Sequence, residues 1–171
     1  GLAVASVGVA LWHGNRRLQL RSVAKKLEIQ GHRCYGDYEP HNTLRSTRAA
    51  AADREVRSVE FDVRRTRDGH IVVTHGPEAG ASHGKSPGSQ DLSRLESLTL
   101  AEAQSVDIGK GERVPLLADL VDICLTAGLI MNVELKDDNP QCVDQTLAIL
   151  RDKGALPHCR ISSFRREALQ Q

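Results

Sequence analysis

Ser58-Val59-Glu60-Phe61-Asp62-Val63, the turn Arg67-Asp68-Gly69-His70 and Ile71-Val72-Val73-Thr74-His75 make up the stretch whose reading decides the fold. β-Branched and aromatic residues dominate both halves, and Asp-Gly supplies turn chemistry between them, so the pattern predicts two β-strands. Side chains alternate along a strand, which puts Val59, Phe61 and Val63 on one face and Glu60 and Asp62 on the other. Two carboxylates side by side repel one another unless a cation lies between them. The second strand ends on a histidine. This combination predicts half of a metal-assisted hydrolytic site, and a two-residue turn at Asp68-Gly69 would pair Asp62 directly with His75 across a hairpin.

The 171-residue chain is long enough for one domain with a real core, and its 40% hydrophobic and 26% charged residues are ordinary for a globular protein. A formal net charge of +1 and 3% aromatic residues give no electrostatic or stacking case for nucleic acid. Cys34, Cys124, Cys142 and Cys159 are widely spaced without a C-x-x-C pair. They predict unpaired thiols in a reducing setting, cytoplasmic or membrane-associated, rather than a zinc site. Gly1 to Trp12 is almost wholly apolar and precedes Arg16 and Arg17. Those twelve residues are too short to span a bilayer alone, and residues 1–26 are expected to form an N-terminal helix or the remnant of a membrane anchor. Residues 27–171 are expected to form the domain that carries the chemistry.

Along the chain, Leu20, Val23, Ala24 and Leu27 mark a basic amphipathic helix, and Leu27 to Gln30 a short strand running into Gly31-His32-Arg33. Leu44 to Glu55 is predicted helical behind an Asn42 or Thr43 N-cap. Gly76 to Gln90 is rich in Gly, Ser and Pro and predicts a loop. Thr99 to Glu102 is a capping-box signature, and Pro115 opens a helix that Gly128 closes. Leu129 to Lys136 is the next strand, with Asn132, Glu134 and Lys136 on one face. Asn139-Pro140 starts another helix, and Cys159 to Phe164 reads as the last strand. The β–α alternation predicts an α/β fold with a mainly parallel sheet.

Polar groups collect at the strand ends: His32 and Arg33, Glu60 and Asp62, His75, Glu134 and Lys136. Ligands bind at the carboxyl ends of strands in parallel α/β sheets and barrels. Three carboxylates without cysteine form a hard oxygen set suited to Mg²⁺ or Ca²⁺. Two histidines off the metal would make an acid–base couple near neutral pH, and Arg33 and Lys136 offer positive charge to a phosphate.

Gly31-His32-Arg33, Pro40-His41-Asn42-Thr43, Val59 to Val63, Thr66 to Gly69, Val72 to His75, Val114 to Leu117, Asn132 to Lys136 and Ile161 to Phe164 occur in an order that resembles the glycerophosphodiester phosphodiesterases. The resemblance implies a TIM-type (β/α)₈ barrel and hydrolysis of glycerophosphodiesters to an alcohol and glycerol 3-phosphate, with lysophospholipids as a further expected substrate. By that likeness His32 and His75 match the acid–base pair, Glu60, Asp62 and Glu134 the divalent-metal ligands, and Arg33 and Lys136 the phosphate contacts. Three departures stand out. Cys34 replaces a glycine and is expected to crowd the first strand end, His41 replaces an acid, and Gly76 replaces an acidic residue after the second histidine. A sphingomyelinase D-like lyase and an inactive phosphate- or partner-binding remnant are the alternative expectations. A complete barrel takes about 200–250 residues, so this chain is expected to hold about the first five strands.

Overall fold

The structure, a computed structural model, describes residues 28–76, 92–137 and 139–170. The expected N-terminal helix or anchor, the basic helix before Leu27 and the loop beyond Gly76 lie outside those residues.

Among the described residues five strands form one sheet: β1 (Ile29–Gly31), β2 (Val56–Arg65), β3 (Ile71–Val73), β4 (Ile130–Leu135) and β5 (Cys159–Ser162). β1, β2, β4 and β5 run parallel in that spatial order, and β3 pairs antiparallel with β2. Helix α1 (Leu44–Ala52) joins β1 to β2, α2 (Leu100–Gln104) and α3 (Leu117–Ala127) lie between β3 and β4, and α4 (Pro140–Asp152) joins β4 to β5. The α/β class and mainly parallel sheet expected from the alternation are the observed ones.

The hairpin forms, but not with the expected turn. β2 continues past Val63 to Arg65, and a longer turn follows, in which the Thr66 N–H donates to the His70 carbonyl at 2.9 Å and the Gly69 N–H to the Thr66 carbonyl at 3.0 Å. The Thr66 hydroxyl also donates to Asp68 at 2.7 Å, which holds the carboxylate inside the turn. The register therefore aligns Val63 with Val73, and Thr74 rather than His75 meets Asp62, donating its N–H to the Asp62 carbonyl at 2.8 Å. Helix α1 stops three residues early because Asp53 turns extended at φ −85°, ψ 110° and accepts the Glu55 N–H on its side chain. Thr43 is the N-cap, in a capping box with Ser46.

The core explains why the polar face stays in place. Val59, Phe61 and Val63 of β2 and Met131, Val133 and Leu135 of β4 are at most 2% exposed. They pack against Ala50, Leu117, Leu120, Val121, Cys124, Val143 and Leu150 from α1, α3 and α4. Burying each such side chain contributes about 1.5–3 kcal/mol, and a one-residue slip would turn the whole set to the other face. A second cluster, including Val72, Leu92, Leu95, Val106 and Val114, sits beneath the β3-to-α3 connection. All four cysteines are unpaired, and burial pushes the Cys34 and Cys142 thiols up to about 12. Among the described residues no helix is long and apolar enough to cross a membrane.

Candidate active site

Strand register builds the acidic layer. In the parallel β2–β4 ladder Glu60 lies beside Asn132 and Asp62 beside Glu134. Alternation sends these side chains to the face opposite the core, and one oxygen from each of Glu60, Asp62 and Glu134 lies within 4.8 Å of the others. Glu60 is 7% and Asp62 1% exposed, so neither belongs to a solvated edge.

Their partners differ. Asp62 accepts from the Asn42 side-chain amide at 2.8 Å, and its own N–H donates back to the Asn42 side-chain oxygen at 3.3 Å. The Lys136 ammonium lies 3.1 Å from Asp62 and also pairs with Glu134. Glu60 accepts the Arg33 N–H at 2.9 Å on one oxygen, while its other oxygen is buried with no hydrogen-bond partner. Burial, then the charge of Asp62, raises the Glu60 carboxyl to about 7. For Lys136 burial opposes the charged form, but the bond to Glu134 and the charge of Asp62 outweigh it, and its pKa is raised.

The residues fit a hard divalent cation. The donors are all carboxylate oxygens, and the orphaned oxygen of Glu60 lacks any positive partner of its own. With all three acids ionised, the carboxylates against the Lys136 ammonium and the Arg33 guanidinium leave one excess negative charge, which would repel a phosphodiester. One dication reverses that sign.

His32 and Arg33 follow β1. The His32 ring nitrogen is 3.9 Å from Glu60 with the side chain 74% exposed, and the Arg33 guanidinium is 4.0 Å from Asp62 with its side chain 13% exposed. The backbone here is set by close contacts: a Cβ on Gly31 would fall 1.8 Å from the Cys34 carbonyl oxygen. The Cys34 N–H donates to the Glu60 carbonyl at 2.7 Å, which ties the loop to β2. Cys34 does not crowd the strand end. It takes a left-handed φ of 69° and buries completely in the core. His75 is half-buried one residue beyond the Thr74–Asp62 backbone bond, so β3 delivers it to the end of β2 that carries Asp62. The structure thus gathers Glu60, Asp62, Glu134, Lys136, His32 and Arg33 by direct distances, whereas for His75 it fixes the backbone position next to the Thr74–Asp62 bond.

Two residues were not singled out from sequence as site residues. From the sequence Asn42 is a candidate helix cap and part of the Pro40-His41-Asn42-Thr43 resemblance; in the structure, at a φ of 57°, its amide donates to Asp62 while Thr43 caps the helix. Phe164, 92% exposed, places its ring 5.5 Å from the Lys136 ammonium.

The strand ends of this α/β sheet thus gather three acids, an ammonium and a guanidinium. Residues 32–153 match the Glycerophosphoryl diester phosphodiesterase family, and the chain belongs to that family. It is 24% identical over 155 residues to a glycerophosphodiester phosphodiesterase of Caldanaerobacter subterraneus subsp. tengcongensis, covering 85% of this chain and 61% of that protein. A Silicibacter pomeroyi DSS-3 protein assigned to the glycerophosphoryl diester phosphodiesterases superimposes with a TM-score of 0.71 at 26% identity, over 84% of this chain and 60% of its own. A phosphodiesterase of Oleispira antarctica, solved in complex with the product sn-glycerol 3-phosphate, gives a TM-score of 0.68 at 23% identity, over 86% of this chain and 62% of its own. The chain therefore spans about three-fifths of the length of the relatives it matches. Its five-stranded α/β sheet corresponds to part of their TIM-type barrel.

Proposed function

We propose that this chain carries the catalytic constellation of a metal-dependent glycerophosphodiester phosphodiesterase, which hydrolyses glycerophosphodiesters to an alcohol and glycerol 3-phosphate in glycerophospholipid metabolism. The observation that carries this reading is the convergence of Glu60, Asp62 and Glu134 within 4.8 Å, with His32 and Arg33 against the same acids. Glu60, Asp62 and Glu134 would hold Mg²⁺ or Ca²⁺. When bound, that cation supplies charge neutralisation for the phosphodiester.

The remaining chemistry falls to this chain's own side chains. Arg33 offers a planar fork to two phosphate oxygens, and Lys136 a point charge at the rim of the acids. One of His32 and His75 removes the proton of the attacking hydroxyl, and the other protonates the departing alkoxide. The exposed ring of His32 can exchange protons with solvent between turnovers. The attacking group is water, or the glycerol 2-hydroxyl in a first step that leaves a cyclic phosphate.

Product analysis tests the reading. With Mg²⁺ or Ca²⁺ present, a glycerophosphodiester is expected to yield free alcohol and glycerol 3-phosphate in equal amounts. A cyclic phosphate as the end product would identify a lyase. Absence of turnover in a protein shown to bind both cation and phosphodiester would identify a binding remnant.

A further inference from the structure

The loop from His32 to Asn42 holds an imidazole that the functional reading above does not use. His41 is half-buried, and its Nδ1 lies 3.2 Å from a terminal guanidinium nitrogen of Arg33. A guanidinium has only donors, so Nδ1 must be the acceptor. The Gly36 backbone hydrogen-bonds the ring so as to favour its protonated form, and Nε2 is the ring nitrogen that lies beside Gly36. Neutral His41 thus has both nitrogens satisfied, acceptor toward Arg33 and donor toward the chain.

The seat is built for this ring. A Cβ at Gly36 would come 2.6 Å from Cδ2 of His41 and 3.2 Å from the His32 carbonyl oxygen, so only glycine leaves room. The loop is closed over Arg33 by its own backbone: the Asn42 N–H donates to the Arg33 carbonyl at 3.1 Å and the Gly36 N–H to the His32 carbonyl at 3.0 Å.

We propose that His41 is a positioning residue for Arg33, an uncharged acceptor that holds the guanidinium toward a phosphodiester anion when neutral and repels it when protonated, so that anion capture is lost in acid. The proposal rests on the assignment of Arg33 to the phosphate. An acid at this position, as in the family pattern that the sequence resembles, would pair with Arg33 and cancel its charge. An imidazole orients the guanidinium, which also lies 4.0 Å from Asp62, without adding a further negative charge beside it. Arg33 and His32 are the cationic groups that face His41, and Asp37 is the anion. Burial first, then Arg33 and His32, lower its pKa from the usual histidine value, which keeps the ring neutral at neutral pH.

The test compares the intact protein with its His41→Gln variant, whose amide oxygen still accepts from Arg33 but does not titrate. The probe is dimethyl phosphate, a phosphodiester whose single charge is constant over the range, with saturating Mg²⁺. Every other titrating group is common to both proteins, so the difference between their profiles belongs to position 41. As pH falls from about 8 to below the usual histidine value, the affinity of the wild type is expected to fall further than that of His41→Gln, by about tenfold once the ring is protonated, the scale of one charged hydrogen bond. Nitrogen-resolved NMR of the histidine ring should show a bare Nδ1 at neutral pH. Gly36→Ala, which displaces the ring without removing it, should weaken the neutral-pH affinity in the same direction. Parallel profiles for wild type and His41→Gln, or a ring protonated on Nδ1 at neutral pH, would overturn the proposal alone. No binding of the probe by either protein at any pH, with Mg²⁺ bound, would overturn it together with the assignment of Arg33.

Discussion

The β2–β4 ladder and the loop from His32 to Asn42 supply two sides of one site, and they hold their residues by different means. In the ladder, Asp62 stands beside Glu134 because register puts it there, with Phe61, Val133 and Leu135 buried behind as the anchor. The acidic layer is therefore as rigid as the core. In the loop, Arg33, Cys34 and Asn42 are non-glycine residues at φ 50°, 69° and 57°. Their conformation is held by a few hydrogen bonds: Cys34 and Arg33 to Glu60, two between Asn42 and Asp62, Asn42 to the Arg33 carbonyl and Arg33 to His41. Cation binding should therefore survive loop changes that leave the Asn42–Asp62 bonds intact better than phosphate handling does.

The largest effect that follows is on turnover. His32→Ala and His75→Ala are each expected to lower kcat by about 10²- to 10⁴-fold, as for loss of a general acid or base, while calorimetry still detects the divalent cation. Loss of the cation in either variant would erase the division between ladder and loop. Asn42→Gly comes next, because it keeps the left-handed backbone and deletes only the bonds to Asp62. Cation affinity is expected to drop about 10- to 100-fold, as for a group that orients a ligand, and denaturant unfolding to register a loss of about 1–3 kcal/mol.

A smaller effect concerns pH. The Glu60 carboxyl is raised to about 7 in the folded chain, so the folded state takes up its proton more readily than the unfolded one. The stability this confers is present below the unfolded carboxyl range and is lost as pH rises through about 7. Cation-free protein should melt several degrees lower at about pH 8 than at about pH 5, relative to a Glu60→Gln variant, and added Mg²⁺ or Ca²⁺ should restore it. A wild type and variant that track each other across that range would contradict the burial assigned to Glu60. The smallest effect is expected for Cys34→Gly. Relief of about 1–2 kcal/mol of left-handed strain is offset by the lost buried thiol and the greater freedom of the unfolded glycine. Denaturant midpoints should place its stability within about 1 kcal/mol of the wild type.

The same division separates what could be read in the residues from what could not. Strand alternation is a local pattern of period two, so the faces of Val59–Val63 and Met131–Leu135, and with them the placement of Glu60, Asp62 and Glu134, were legible. The hairpin was legible, but its register was not, because the turn uses Thr66 and Asp68 side-chain bonds that lengthen it and exchange His75 for Thr74 opposite Asp62. The loop was least legible. A positive φ at arginine, cysteine and asparagine has no local signature, and nothing in Pro40-His41-Asn42-Thr43 says that the amide leaves the cap to Thr43 and turns to Asp62.

The central claim, that two strands bring three acids to one cation, is tested most directly by calorimetric titration of Mg²⁺ or Ca²⁺ into the wild type and into Glu60→Gln, Asp62→Asn and Glu134→Gln. The account predicts one divalent cation per chain in the wild type and an affinity at least about 100-fold weaker in each variant. No cation bound by the wild type, or an affinity indifferent to all three substitutions in folded protein, would contradict it.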